Sequence, residues 1–156
     1  MKTLLLILLA GLNLAPAAAS PATDTLPASS RWAFADRGTG LILQLDGQPV
    51  AEFFDGDAKI LRPFFANVRA PGGVAVTRTH PPMPGKDATD HDTMHPGVWL
   101  AFGDLNGQDF WRNKGRIEHV RFTETPQAKA ERLTFATESR LLTADGATLG
   151  SLSNRF

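Results

Sequence analysis

Residues 41–54 read Leu-Ile-Leu-Gln-Leu-Asp-Gly-Gln-Pro-Val-Ala-Glu-Phe-Phe, and this stretch decides the fold class. From Leu41 onward, three leucines recur at every second position, which is the period of a half-buried strand. Asp46-Gly47 follows them. Asp-Gly is favoured in two-residue hairpin turns because type I′ turns need a positive φ at both central residues. Residues 49–54 are therefore predicted to return as the second strand of an antiparallel hairpin.

Short apolar runs separated by turns continue through the rest of the chain. No 3.6-residue period is convincing after the first 30 residues, so we expect antiparallel β structure rather than helices. The chain ends at Phe156 within an apparent strand, and we expect a domain that is incomplete at its C-terminus, with the last strand lacking its neighbour. The further predicted strands are residues 61–68, 74–79, 98–102, 117–122, 133–142 and 148–155.

The amino terminus has the pattern of a Sec-type signal peptide. A short basic start precedes an almost unbroken apolar run over 4–14, and small residues over 15–19 follow before a cleavage site. The alternative is a membrane anchor, but a run of about 11 residues is short for a hydrocarbon core of roughly 30 Å, which needs about 20. We predict a signal peptide over 1–19, a flexible leader over 20–30 and one β domain over 31–156. The mature protein is then periplasmic or secreted, with no membrane contact after cleavage.

Composition and charge exclude one kind of chemistry and one class of partner. The sequence has no cysteine, so disulfides, thiolate catalysis and thiolate metal ligands are excluded. Cleavage after Ala19 removes one of the 16 basic groups, Lys2, which leaves 15 against 16 acidic groups and a net charge of −1. Because no long cluster of lysine and arginine is present, we expect no nucleic-acid partner. The expected partner is a small or neutral molecule, or another protein.

Residues 80–97 interrupt the strand pattern. This segment holds four prolines and three of the four histidines, and its prolines prevent a helix of any length. A long irregular loop inside a compact domain is uncommon and is often functional. We therefore take this loop as the candidate site. The candidate catalytic residues are His91 and His95 in the loop and Asp104, which follows it.

The imidazole and carboxylate groups of this region suit two kinds of chemistry and one structural role. A neutral imidazole, with an ordinary pKa of about 6.5, exchanges protons with a sugar hydroxyl or an anomeric centre. The same nitrogens together with carboxylate oxygens suit a divalent metal ion, although the pattern requires no cofactor. Alternatively, the polar side chains only brace the loop through hydrogen bonds to its backbone. The spacing of the histidines does not choose among these roles, because their convergence depends on the shape of the loop.

Aromatic, acidic and basic residues flank the loop and are candidates for ligand binding. Aromatic faces stack on the C–H surfaces of sugars and an indole N–H is a donor, whereas ordinary core packing is the alternative role of the same residues. We expect Arg62 and Arg116 to pair with one of the aspartates, the alternative being a carboxylate ligand. The candidate ligand-binding residues are Asp90, Trp99, Asp109, Trp111 and Arg116.

Two segments of the chain resemble a bacterial family. The first is Leu61-Arg62-Pro63-Phe64-Phe65 with residues 71–78. The second contains Asp90-His91, residues 95–99 and Gly-Asp-Leu-Asn-Gly-Gln-Asp-Phe-Trp at 103–111, and ends with Gly115-Arg116-Ile117. In this order they resemble the "methane oxygenase PmoA-like" family of exported or cytoplasmic proteins, whose activity is unestablished.

The resemblance covers residues 41–122 and implies a fold and a setting. The implied fold is a β-sandwich similar to the galactose-mutarotase-like supersandwich, and the implied setting is sugar metabolism. The membrane subunit of particulate methane monooxygenase spans the bilayer several times, whereas this chain has one removable apolar segment, so the two are different proteins.

Three hypotheses from different functional classes follow. The leading hypothesis is an exported, carbohydrate-associated protein that binds or acts on a sugar through His91 and His95, with help from Asp90, Asp104 and Trp99. The second is a metal-dependent enzyme that uses His91, His95 and a carboxylate. The third is a non-catalytic interaction module in which the aromatic residues form a partner surface and the loop is a brace.

Overall fold

The computed structural model describes residues 30–129 and 131–156. This part of the chain consists of strands, turns and irregular segments without a helix, which confirms the predicted all-β fold class. Within the same residues no helix is long and apolar enough to cross a membrane. The predicted signal peptide over 1–19 and the leader up to residue 29 lie outside the described residues.

The described residues form eight strands in two antiparallel sheets that are not closed into a barrel. The strands are β1 (Trp32–Asp36), β2 (Gly40–Leu45), β3 (Gln48–Phe54), β4 (Phe64–Ala66), β5 (Val98–Trp99), β6 (Arg116–Lys129), β7 (Arg132–Leu142) and β8 (Thr148–Arg155). The first sheet has the order β1-β2-β3-β4-β5, and the second has the order β6-β7-β8. Every strand therefore pairs with the strand before or after it in the chain, as in a meander.

The hairpin between β2 and β3 forms as the sequence predicts. Asp46 and Gly47 have φ values of 50° and 75°, which is the left-handed pair that a type I′ turn requires. The side chain of Arg31 also reaches the turn, with its Nη2 atom 2.5 Å from the Asp46 carboxylate. This ion pair is exposed, so its contribution to stability is small.

Phenylalanine rings from both sheets form the core between them. Phe53 of β3 is 1% exposed, and its ring centroid lies 5.2 Å from that of Phe135 in β7 and 6.4 Å from that of Phe122 in β6. Burial of one such side chain stabilises a fold by about 1.5–3 kcal/mol. At one margin of the two sheets, the indole Nε1 of Trp32 donates to the carbonyl oxygen of Glu131 at 2.9 Å. The two sheets thus pack as a sandwich.

The opposite face of the first sheet is also covered. Phe54 follows Phe53 in β3, and neighbouring residues of a strand point to opposite faces, so Phe54 points away from the second sheet. It packs in a separate buried cluster with Ile60, Phe64 and Ala66. Because both faces of β3 and β4 are buried, these strands contain adjacent phenylalanines instead of alternating apolar and polar residues.

Four predicted strands are wrong in extent: the one over 61–68 is reduced to β4 (Phe64–Ala66), the one over 117–122 continues in β6 to Lys129, and those over 74–79 and 98–102 also differ. Over 74–79 the structure has one isolated bridge, between Ala75 and Arg69, and Val74 and Val76 are 66% and 59% exposed. No layer of described residues covers these valines, so a continuous strand gains little burial there. The strand predicted over 98–102 ends at Trp99. The predicted irregular loop over 80–97 is present, as turns and bends without a regular element.

Candidate functional site

The candidate site lies on a row of aromatic side chains across the first sheet. Phe54 of β3 is paired with Phe64 of β4, and Phe64 is paired with Trp99 of β5, so the three rings share one face of the sheet. The Phe54 and Phe64 rings are stacked, with centroids 4.7 Å apart and planes 3° apart. We call these three residues the aromatic row. The loop over 80–97 folds onto it.

A tight turn in this loop places the two candidate histidines next to each other. The amides of Met94 and His95 both donate to the carbonyl oxygen of His91, at 2.9 Å and 2.8 Å, and His91 has a φ of 50°. The turn then enters β5 through Gly97, where an added Cβ would lie 2.0 Å from the carbonyl oxygen of Phe65. Glycine is therefore required at 97 for β5 to approach β4.

Four rings converge at the end of the turn, and we call His91, His95, Trp99 and Trp111 the His–Trp cluster. The His95 ring meets both indoles edge to face, with centroids 5.2 Å from Trp99 and 5.8 Å from Trp111. The two indoles lie 5.8 Å apart, and the His91 ring lies 6.0 Å from that of His95. His91 is exposed, Trp111 is 38% exposed, and the other two are half-buried. The cluster therefore presents imidazole and indole surface to solvent.

Arg62 holds together the two loops that carry the cluster. Its side chain is almost wholly buried at 2% exposure. The Nη2 atom donates to the carbonyl oxygens of Thr93 and Met94 at 3.4 Å and 2.7 Å. The Nη1 atom donates to the carbonyl oxygens of Phe110 and Trp111, both at 3.2 Å. One guanidinium thus fixes the backbone beside His95 and beside Trp111.

Among the described residues no carboxylate pairs with Arg62, and its Nε atom is buried without a hydrogen-bond partner. Its Nη1 atom also donates to Oδ1 of Asn113 at 2.6 Å, and its Cζ atom lies 5.6 Å from the centroid of Trp99. Burial lowers the pKa of the Arg62 guanidinium. The expected pairing of Arg62 with an aspartate is therefore wrong, because neutral oxygens and an aromatic ring surround the charge. Arg62 was expected from the sequence only as an ion-pair partner, and Asn113 was not expected at all; both hold the backbone of the loops that carry the cluster.

The other predicted site residues lie in different surroundings. Asp90 is beside the cluster, with its Oδ2 atom 3.5 Å from Nδ1 of His91 and both side chains exposed. Asp104 is exposed and accepts a hydrogen bond of 2.8 Å from the amide of Gly107, within a turn. Neither Asp104 nor Asp109 forms a hydrogen bond or ion pair with a histidine in the described part of the chain. The structure thus brings Asp90, and not Asp104, to the histidines.

Asp109 and Arg116 also have roles away from the rings. Asp109 accepts hydrogen bonds from the amide and the guanidinium of Arg112, at 3.0 Å and 2.9 Å, and these bonds lower the pKa of the Asp109 carboxyl. Arg116 is exposed at the start of β6 and borders a hollow of about 280 Å³ that Asp55 and Glu118 also border. Neither side chain therefore forms a hydrogen bond to a ring of the His–Trp cluster in the described part of the chain.

The described residues contain no ready set of metal ligands. Across 30–129 and 131–156, no group of three or more histidine, aspartate or glutamate side chains is arranged to hold a metal ion. His91, His95 and Asp90 are near one another, but they do not form such a group. What the arrangement offers chemically is aromatic surface, imidazole nitrogens and one nearby carboxylate.

The fold and the site define an antiparallel β-sandwich protein with an exposed cluster of histidine and tryptophan. Residues 41–151 match the model of the family of unknown function DUF6807. The matched segment is more than half of the chain and contains every candidate site residue, and the protein belongs to this family. Neither the comparison with curated proteins nor the comparison with solved structures gave a match.

Proposed function

We propose that the His–Trp cluster binds a carbohydrate and that the protein is an exported, carbohydrate-associated member of its family. One observation carries the proposal: His95 is held edge to face against Trp99 and Trp111, while Trp111 and His91 remain open to solvent. Trp111 leaves part of an apolar indole in water, and a ligand that covers it removes that surface from solvent, which favours binding. The neighbouring imidazoles add polar atoms to the same surface.

The chemistry of the cluster matches the two kinds of surface that a sugar has. The apolar C–H face of a pyranose packs on an indole ring, and its hydroxyl groups exchange hydrogen bonds with imidazole nitrogens, which both donate and accept. The Asp90 carboxylate near His91 adds an acceptor at the margin. The mixture of flat apolar surface and a few directed polar atoms is typical of small-molecule sites.

Preorganisation supports binding by this cluster rather than by a loose loop. Arg62 ties the carbonyl oxygens next to His95 and Trp111 to one buried group, so the two halves of the cluster are held before any ligand arrives. Side chains that are already ordered lose less conformational entropy on binding. If the protein also acts on the sugar, proton transfer would use His91 or His95 with Asp90 as the neighbouring carboxylate, because Asp104 is engaged in its own turn.

The resemblance to the PmoA-like family and the amino-terminal pattern support the biological setting. That resemblance implies a mutarotase-like supersandwich and a place among sugar-metabolising proteins. The signal-peptide pattern over 1–19 supports export of the mature protein to the periplasm or out of the cell. The metal-enzyme alternative has no described group of three ligands. The interaction-module alternative also uses exposed aromatic surface such as that of Trp111, which is 38% exposed, and a sugar titration distinguishes it from carbohydrate binding.

A calorimetric titration of the purified protein with a panel of neutral mono- and oligosaccharides tests the proposal. We expect at least one sugar to bind, and Trp111→Ala to weaken its binding by at least about fivefold because the stacking surface is lost. The matched control is Phe34→Ala, since Phe34 on β1 is 40% exposed, close to the exposure of Trp111, and lies outside the cluster. No binding across the panel, or equal weakening by the two variants, contradicts the proposal.

A further inference from the structure

A third histidine of the same loop, His80, forms a separate arrangement on the aromatic row. Its ring packs edge to face on Phe54 and Phe64, with centroid distances of 4.8 Å and 4.9 Å. Its Nε2 atom lies 2.9 Å from Oδ2 of Asp57, and the two side chains are 12% and 19% exposed. The imidazole is therefore fixed in position by two aromatic contacts and one hydrogen bond to a carboxylate.

The surroundings of Asp57 decide which nitrogen of His80 carries the proton. Burial raises the pKa of the Asp57 carboxyl, but hydrogen bonds from the amides of Lys59 and Ile60 and from His80 outweigh this effect, so the pKa is lowered. The two amide bonds are 2.8 Å and 2.9 Å long. An ionised carboxylate only accepts hydrogen bonds, so Nε2 of His80 is the donor of this pair, and the tautomer with Nε2–H has a lone pair on Nδ1.

The Nδ1 atom of His80 forms no hydrogen bond within residues 30–129 and 131–156, and it is not among the buried side-chain atoms that lack a partner. The atom is therefore not fully buried, on a side chain that is 12% exposed. Beside the ring is a hollow of about 220 Å³, which is bordered by Lys59, Pro81, Pro82, Asp92 and Thr93 as well as by the His80–Asp57 pair.

We propose that this hollow is a binding site for a small, neutral polyhydroxylated molecule, in which Nδ1 of His80 accepts a hydrogen bond from a ligand hydroxyl. The size is below the roughly 300–1,000 Å³ of sites for drug-sized ligands, which limits the occupant to about one sugar ring or a small polyol. The ammonium of Lys59 and the carboxylate of Asp92 offset each other in charge, so the site favours a neutral ligand with both donors and acceptors. The rings of Pro81 and Pro82 supply an apolar wall.

This site is distinct from the His–Trp cluster and does not depend on its proposed function. The turn over 91–94 separates the two: Asp92 and Thr93 border the hollow, whereas His91 and His95 belong to the cluster. A ligand in the hollow would therefore contact different residues of this turn from a ligand on the cluster.

The test is an NMR titration of the ¹⁵N-labelled protein with myo-inositol, D-glucose and glycerol as separate probes. We expect at least one probe to shift the amide signals of Lys59 and Thr93 in a saturable way. His80→Gln is the decisive variant, because its amide replaces the Nε2–H donor to Asp57 and removes the Nδ1 acceptor. We expect this variant to keep the remaining spectrum and to bind the probe about three- to tenfold more weakly, as for the loss of one hydrogen bond.

Two further variants make the result decisive. If His80→Gln does not fold, Asp92→Asn takes its place, since asparagine still accepts the hydrogen bond from the amide of Thr93. We expect Asp92→Asn to weaken binding of the probe by about threefold or more. Trp111→Ala should leave binding in the hollow unchanged, which separates this site from the cluster. The proposal is overturned if no probe shifts these signals, or if the variants bind the probe as tightly as the unmodified protein.

Discussion

Nη2 of Arg62 donates a hydrogen bond of 2.7 Å to the carbonyl oxygen of Met94, the residue that immediately precedes His95. The two residues are 32 positions apart in the chain. Through this bond, the buried guanidinium of Arg62 holds the backbone next to His95. The His95 ring contacts the other three rings of the His–Trp cluster. The candidate site therefore depends on a residue that need not touch any ligand.

Replacing Arg62 with methionine should strongly destabilise the protein. Methionine fills a similar volume but leaves the carbonyl oxygens of Met94, Phe110 and Trp111 buried without a donor, and we expect a loss of about 2–4 kcal/mol in the free energy of unfolding. Urea unfolding followed by tryptophan fluorescence measures it. The control is Arg116→Met, an exposed arginine without an ion pair in the described residues, for which we expect a change within about 0.5 kcal/mol. Equal losses of unfolding free energy in the two variants would show that the hydrogen bonds of the buried Arg62 guanidinium have no special role in stability.

Replacing Gly97 with alanine should displace β5. The new methyl carbon would lie 2.0 Å from the carbonyl oxygen of Phe65, so the strand must move away, and we expect a loss of about 1–3 kcal/mol. Thermal unfolding gives the stability, and the fluorescence of Trp99 reports the shift of the strand. Gly56→Ala is the control, because a Cβ there meets nothing within 4 Å and its φ is not left-handed. A Gly97→Ala protein as stable as this control would refute the close approach.

Asp57→Asn should destabilise the protein at neutral pH and not in strong acid. The folded-state pKa of Asp57 is below the ordinary value of an aspartate carboxyl, so its contribution is complete above that ordinary value and is lost as the pH falls through the folded pKa. At pH 7 we expect a loss of about 1 kcal/mol, the usual net value of one hydrogen bond. Unfolding free energies measured from pH 7 down to acid should converge for the two proteins. A difference that is independent of pH would contradict the assignment.

Asp55→Asn should have the opposite sign. Burial raises the pKa of the Asp55 carboxyl, which means that its ionised form is disfavoured in the folded protein. The cost is present above the folded pKa and disappears as the pH falls through that value. We therefore expect Asp55→Asn to be more stable than the unmodified protein at pH 7, by less than about 1 kcal/mol because the group is partly solvated, and equally stable in acid. Destabilisation at pH 7 would show that the ionised carboxylate is favoured.

Local features of the fold were predictable because their causes lie within a few residues. The Asp46-Gly47 turn follows from the positive φ that both positions need, and Asn106-Gly107, with φ values of 52° and 80°, forms a turn of the same kind. The absence of the strand expected over 74–79 was not predictable. A strand there depends on a layer that covers it, and the residues next to it in the chain do not determine whether such a layer exists. Propensity alone does not decide such a segment.

The site was predictable in composition but not in geometry. The histidines of the 80–97 loop and the flanking tryptophans were identified from residue types. Their convergence depends on Arg62, which contacts Met94 and Trp111 at separations of 32 and 49 residues. The choice of Asp90 over Asp104 as the carboxylate beside the histidines likewise depends on the turn at 91–95. Contacts over such distances are set by tertiary packing.

A sugar titration of the His91→Ala, His95→Ala double variant tests the central claim most directly, because it removes both imidazoles and leaves the indoles and Arg62 in place. Using the sugar that binds the unmodified protein best, we expect the double variant to remain folded at the titration temperature and to bind roughly tenfold more weakly, as for the loss of one or two hydrogen bonds. Undiminished affinity in the folded double variant would contradict the assignment of the His–Trp cluster as the carbohydrate site.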